Sequence, residues 1–155
     1  MAREIERKFL LRNDNWRQGA SAGRLLRQGY LCSGEGVTVR VRVAEGDAWL
    51  TIKGPSEGAA RDEFEYPIPV EDADYLLSKL RSSGLVEKKR HELVHAELLW
   101  EIDEFLGDNA GLVVAEVELE DEGQAITLPE WVGEEVTGDP SYYNASLAQH
   151  PHSNW

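Results

Sequence analysis

Cysteine is all but absent. Cys32 stands alone in 155 residues, so no intrachain disulfide can hold the fold, which agrees with a reducing compartment. A single thiol without a recognisable histidine partner reads as a small apolar filler rather than a nucleophile. Long apolar runs are missing as well. No stretch of 18 or more apolar residues occurs, and the N-terminus has no basic segment followed by an apolar core, so neither a membrane-spanning helix nor a secretory signal is expected and the protein is placed in the cytoplasm. Positive charge is scarce: 16 Lys and Arg against 29 Asp and Glu give a net charge of -13. That balance argues against nucleic acid or an anionic membrane as a partner. Internal repeats, heptads and low-complexity blocks are lacking, and no Ser-His-Asp or Cys-His arrangement stands out. The four histidines, His91, His95, His150 and His152, read as surface groups.

What is present is alternation. Hydrophobic residues at 41% and charged residues at 29% describe a globular chain, and its length fits one domain spanning residues 1–155. In AREIERKFLL (Ala2 to Leu11) a strand puts Glu4, Glu6 and Lys8 on one face and Ile5, Arg7 and Phe9 on the other. Val37 to Ala44 alternates more cleanly, with four valines opposite Thr38, Arg40 and Arg42. A hairpin turn at Glu45 to Asp47 leads to a strand over Ala48 to Gly54, which carries Lys53, and Arg61 to Ile68 sets Arg61, Glu63 and Glu65 against Phe64 and Tyr66. Pro67 marks an edge or a strand end.

Further strands are expected over Arg24 to Cys32, Leu85 to Ala96, Glu97 to Phe105 and Leu112 to Glu120. Gly29 within the first of these marks a bulge or a close approach. Lys88 and Arg90 align on the second, Glu101 and Asp103 on the third, and Glu116 and Glu118 on the last; Glu120 lies near the strand end and is expected to be exposed. Asn13 to Gly23, Ser33 to Gly36 and Gly107 to Gly111 read as loops and turns. The period changes over Glu71 to Ser83, where Ala73, Leu76, Leu77 and Leu80 predict a helix of about three turns stopped by Gly84. Pro129 and Gly133 mark a loop anchored by Trp131 and Val132. Asp139-Pro140 caps a short helix from Ser141 to about Ala148.

Eight strands and one main helix suit either a closed antiparallel barrel or a two-sheet sandwich. The sandwich would turn the charges outward and the barrel would turn them into a lumen. The sign of charge sorts by strand, Arg beside Arg and Glu beside Glu. Arginine forks suit phosphate oxygens, and carboxylates at alternate positions suit hard divalent cations.

EIERKFL resembles the ExExK signature of the CYTH superfamily, the triphosphate tunnel metalloenzymes. The blocks LRQGYL (Leu26 to Leu31), TVRVRV (Thr38 to Val43), LTIKG (Leu50 to Gly54), RDEFEY (Arg61 to Tyr66), VEKKR (Val86 to Arg90), WEIDEF (Trp100 to Phe105), AEVELE (Ala115 to Glu120) and GEEVTGDPSYYNASLA (Gly133 to Ala148) resemble the family in the family's order. The resemblance implies a mainly β fold: a closed eight-stranded antiparallel β-barrel tunnel with a few flanking helices, the one at about 140–149 plugging it. It implies metal-dependent hydrolysis of a triphosphate, inorganic tripolyphosphate to diphosphate and phosphate, inside a charged lumen. Lys8, Arg40, Arg42, Lys53, Lys88 and Arg90 would grip phosphate, with Arg61 either gripping phosphate or pairing with an acid, and Tyr30 orienting substrate or simply packing.

Glu4, Glu6, Glu116 and Glu118 would hold two divalent ions, Mg²⁺ or Mn²⁺, with Glu63, Glu65 and Asp103 as further lumen acids, Glu63 and Asp103 counted with the metal set. Glu4, Glu6, Lys8, Arg40, Arg42 and Lys53 form the catalytic set. One departure stands out: the last helix lacks the basic residues usual in relatives, leaving Tyr142, Tyr143 and Leu147 to close the tunnel. Thiamine triphosphate or ATP hydrolysis, a class IV-type adenylyl cyclase, and a non-catalytic polyphosphate- or nucleotide-binding tunnel stay open as alternatives, and so does a monomer or a homodimer.

Overall fold

The computed structural model describes residues 3–33 and 36–155; Ala2 of the opening stretch and Gly34 and Glu35 of the expected turn lie outside them. Charge alternation folds here as a tunnel. The strands β1 (Arg3–Leu11), β2 (Arg24–Cys32), β3 (Thr38–Ala44), β4 (Asp47–Lys53), β5 (Ala60–Pro67), β6 (Val86–His95), β7 (Leu98–Phe105) and β8 (Val113–Glu118) pair antiparallel around a circle. Its order is β5-β4-β3-β2-β6-β7-β8-β1, and β1 closes back onto β5. The seam is short: Arg3 faces Asp62, Glu4 faces Arg61 and Ile5 faces Ala60. Beyond it the same edge of β1 is taken by β9 (Val132–Glu135).

The closed eight-stranded barrel is the expected one, and β9 is an extra strand beside it. Gly133 and its four-residue length read as loop, and only the free edge of β1 makes it a strand, since an unpaired row of amides is costly. The Gly133 backbone lies against Leu10, Leu11 and Arg12, where an added Cβ would meet backbone at 3.2–3.3 Å.

Outward faces are apolar and covered in two places. On β1, β8 and β7, Phe9, Trp100, Ile102, Ala115 and Val117 pack under Trp16 and Trp131, contributed by the loops after β1 and after β8. On β3 and β4, Val41 and Ala48 lie under α1 (Val70–Tyr75) and the π-helical turn Leu76–Leu80 that continues it. The expected three-turn helix thus ends at Leu80, short of Ser83, and its second half is wound wider than an α-helix.

Gly29 marks a close approach; it keeps its register opposite Val41, and the bulge lies further along the strand. A register shift separates Tyr30 from Cys32, and a Cβ at Gly29 would stand 2.9 Å from Leu77 Cδ2. Gly29→Val is therefore expected to cost about 1–3 kcal/mol by overpacking, read as a lower denaturation midpoint; a midpoint equal to wild type would mean the helical layer is loosely seated.

Inside, one mouth of the barrel is apolar. Tyr30, Val86, Phe105 and Val114 point inward there and receive Leu147 of α2 (Asn144–Gln149). Helix α2 follows a 3-10 turn at Pro140–Tyr142, whose Asp139 side chain accepts from Ser141 N at 3.0 Å. Among the described residues no helix is long and apolar enough to cross a membrane.

Candidate active site

The tunnel encloses a cavity of about 420 Å³. Strand geometry fills it with charge, because inward positions recur every second residue and antiparallel register sets them side by side. Arg42 stands opposite Gln28, Arg40 opposite Tyr30 and Thr51, Lys53 opposite Thr38 and Glu63, Arg90 opposite Asp103, and Lys8 opposite Glu116. Lys8, Arg40, Arg42, Lys53, Arg61, Lys88 and Arg90 all line the cavity, together with Glu4, Glu6, Glu116 and Tyr30. Among the described residues, seven basic groups thus line the cavity with three acids, in a chain whose net charge is -13. At the cavity surface bases outnumber acids, while Glu63, Glu65, Glu101 and Asp103 pair with the same bases behind it.

The basic groups are held by specific partners. Lys53 contacts Glu4 at 3.3 Å and Glu63 at 3.2 Å. Arg40 reaches Glu65 at 3.5 Å and Thr51 Oγ1 at 3.3 Å, yet its buried Nε has no protein partner. A buried guanidinium N–H without a protein acceptor is open to a water or an anionic ligand. Arg61 donates through Nε to the Gly54 carbonyl at 3.1 Å, so the acid pairing weighed for it is replaced by a backbone contact.

Asp103 differs from what the sequence suggested. It is fully buried, takes Arg90 on both oxygens at 2.8 Å and receives Lys88 at 2.7 Å. Burial works to raise its carboxyl, but Arg90 and Lys88 overcome that and hold it well below the usual range. Its lone pairs are spent on cations, so it holds the basic wall and is not a free ligand for metal. Lys88 itself is driven down to about 7, by burial first, against the pull of Asp103 and with the push of Arg90 and Arg42. Burial and the nearby charges of Arg40 and Arg90 bring Arg42 down to about 9.

Across the lumen the carboxylates crowd. Burial, Glu116 and Glu4 push the Glu6 carboxyl well above its ordinary value. Glu4 is raised by burial and Glu63, against Lys53. Glu116 goes the other way: Lys8 at 3.9 Å, helped by Arg90 and Lys88, outweighs burial and lowers it. Lys8 gains in return, since Glu116, Glu6 and Asp103 outweigh its burial. Among the described residues no three His, Cys, Asp or Glu side chains converge into a ready metal cage; Glu4 is turned to Lys53 and Glu116 to Lys8. The donor set is nevertheless hard oxygen, and the raised Glu6 marks negative charge that the neighbouring lysines leave uncompensated. These features fit a divalent cation. Glu118 faces Glu6 across the β1–β8 ladder and is more exposed.

Uncharged residues that charge rows could not flag complete the wall. Gln28 and Thr51 are fully buried in the lumen, and Thr137, Tyr143 and Asn144 approach from the C-terminal segment. Lys8 Nζ donates to the Tyr142 carbonyl at 3.2 Å and lies 5.7 Å from the Tyr143 ring centroid. Glu120 is exposed, as expected, and Tyr30 both packs and borders the cavity. Two expectations fail. Cys32 is exposed, not a filler. His91 is half-buried, its ring 5.0 Å from Trp16 and its nitrogens near the Ser21 carbonyl at 3.0 Å and Glu104 at 3.3 Å.

A charged, nearly closed β-tunnel of this order defines a class, and the comparisons agree with it. The family profile of the CYTH domain matches residues 2–150, and the chain belongs to that family. It is 44% identical over 155 residues to an inorganic triphosphatase of Acetivibrio thermocellus, covering 100% of this chain and 99% of that protein. It is 37% identical over 150 residues to an inorganic triphosphatase of Nitrosomonas europaea, covering 94% and 96% respectively. A solved inorganic triphosphatase structure superposes with a TM-score of 0.66 at 35% identity, covering 96% of this chain and 95% of that one.

Proposed function

We propose that this protein hydrolyses inorganic triphosphate to diphosphate and phosphate inside the tunnel, in the cytoplasm. The observation that carries the reading is the base-rich wall within an acidic chain, including the Arg40 Nε that lacks a protein acceptor. Lys8, Arg40, Arg42, Lys53, Lys88 and Arg90 bind phosphate oxygens from the lumen wall. Phosphoryl transfer spreads negative charge over the transferred oxygens, so fixed cations in a partly dry cavity stabilise the transition state without moving. The plug at Asn144–Gln149 closes one mouth, which limits water and favours a compact polyanion. Glu4, Glu6, Glu116 and Glu118 would hold divalent cations, Mg²⁺ or Mn²⁺ and two by the number of carboxylates, which neutralise phosphate charge and acidify the attacking water.

The test is phosphate release from tripolyphosphate, ATP and thiamine triphosphate, each with Mg²⁺, Mn²⁺ or EDTA, with cyclic nucleotide measured alongside. Release from tripolyphosphate with metal and none with EDTA is expected. Tight tripolyphosphate binding without any turnover would sink the enzyme reading, and preferential use of ATP or thiamine triphosphate would replace the substrate.

A further inference from the structure

Two amides join the phosphate wall to the plug. Gln28 on β2 is fully buried; its Oε1 accepts from Arg42 Nε at 2.8 Å, and its Nε2 donates to Tyr30 OH at 3.1 Å and to Asn144 Oδ1 at 3.3 Å. Asn144, at the start of α2, accepts from Lys88 Nζ on the same oxygen at 2.9 Å. Chemistry fixes how both amides are turned. Arginine and lysine only donate, so Gln28 must give its oxygen to Arg42 and Asn144 its oxygen to Lys88, which leaves the Gln28 N–H to close the link.

The two cations are oriented as a result. Arg42 has its Nε engaged, which leaves its terminal guanidinium nitrogens for a ligand. Of the three Lys88 protons, one goes to Asp103 at 2.7 Å and one to Asn144. The ammonium also lies 5.4 Å from the Phe105 ring centroid, and Lys88 borders the cavity. Asn144 is itself held in place because Leu147, one turn on, is buried in the apolar mouth.

We propose that Gln28 and Asn144 are positioning residues: an amide bridge through which the seated C-terminal segment orients Arg42 and Lys88 on the triphosphate. The plug then contributes to phosphate binding without a charge of its own. This rests on the triphosphate reading above.

Asn144→Ala is expected to lower kcat/KM for tripolyphosphate by roughly 10–100-fold, the scale of a small misplacement of binding groups, and to weaken calorimetric tripolyphosphate binding about 10-fold. Asn144→Gln, which keeps the amide on a longer stem, should recover activity to within about 5-fold of wild type. Because the two amides act as one unit, Gln28→Ala with Asn144→Ala should cost little more than the worse single variant. Leu147→Ala removes the anchor that seats Asn144 and should therefore lower Tm and kcat/KM together.

Wild-type kcat/KM and affinity in Asn144→Ala, multiplicative losses in the double variant, or a Gln variant as poor as Ala would overturn the bridge. If wild type releases no phosphate, the triphosphatase reading fails by itself. The calorimetric affinities still decide the bridge: weakening in Asn144→Ala supports it, an unchanged value removes it.

Discussion

Glu6→Gln is expected to cut tripolyphosphate hydrolysis roughly 10²–10³-fold, the cost of one preorganised electrostatic group, while the barrel stays folded. Crowding of carboxylates is the cause. Glu6 is pushed well above its ordinary value by burial, Glu116 and Glu4, so the folded protein without cation binds a proton there that the unfolded chain releases. Stability of the cation-free protein therefore falls as pH rises from about the ordinary 4.5 toward the raised value. Glutamine lacks that charge. The variant should melt at least as high as wild type in EDTA at neutral pH, each kcal/mol gained being worth about 2–4 °C, and it should gain less than wild type on adding Mg²⁺ or Mn²⁺. Turnover equal to wild type would remove Glu6 from the cation site. A lower melting temperature in EDTA would show that its carboxylate supports the fold.

Asp103→Asn should act on stability instead. It removes the one fully buried carboxylate that Arg90 grips on both oxygens and that Lys88 also touches. Lys88 loses its counter-charge and Arg90 keeps only Glu101 at 3.3 Å, and breaking such a buried pair costs about 3–5 kcal/mol. A fall in Tm of about 6–20 °C follows from the same scale.

The pH dependence checks the cause. The Asp103 carboxyl is depressed in the folded state, so its contribution is present above the ordinary 3.8 and is lost as pH falls below it toward the depressed value. Wild type should lose stability across that acid range, with Glu116 contributing in the same direction. Asp103→Asn should show a shallower loss. An unchanged melting temperature and acid profile would mean that the Arg90 and Lys88 charges are solvated.

Most of the barrel was written in two-residue periods. Glu4, Glu6 and Lys8 against Ile5, Arg7 and Phe9 placed β1, and the valines opposite Arg40 and Arg42 placed β3, because a pleated strand has only two faces. The direction of those faces was not local information. It depends on what covers the apolar side, and the covers are Trp16 and Trp131 in loops and the helical layer over Val41.

The same limit hid β9, which is a strand only because β1 has a free edge beside it. Asp103 looked like Glu116, one acid in an alternating row, and only register with Arg90 separates their roles. Gln28 and Asn144 escaped notice because an uncharged amide carries no signature until its neighbours are known. His91 was likewise read as a surface group because its contacts, Ser21, Trp16 and Glu104, lie far from it in sequence or on the partner strand.

The way β1 is shared among three neighbours bears on the order of events at the ribosome. Strand β1 finds only three register partners on β5, and its remaining partners are Ala115–Glu118 and Val114 on β8 and Val132 and Glu135 on β9. The hairpins β3–β4 and β6–β7 can form as soon as they are made, since their strands are joined by short turns. The N-terminal strand must wait for nearly the whole chain, so barrel closure is a late, non-local step of the slow kind. Until translation has passed residue 135, the stretch that carries Glu4, Glu6 and Lys8 has no completed sheet to enter.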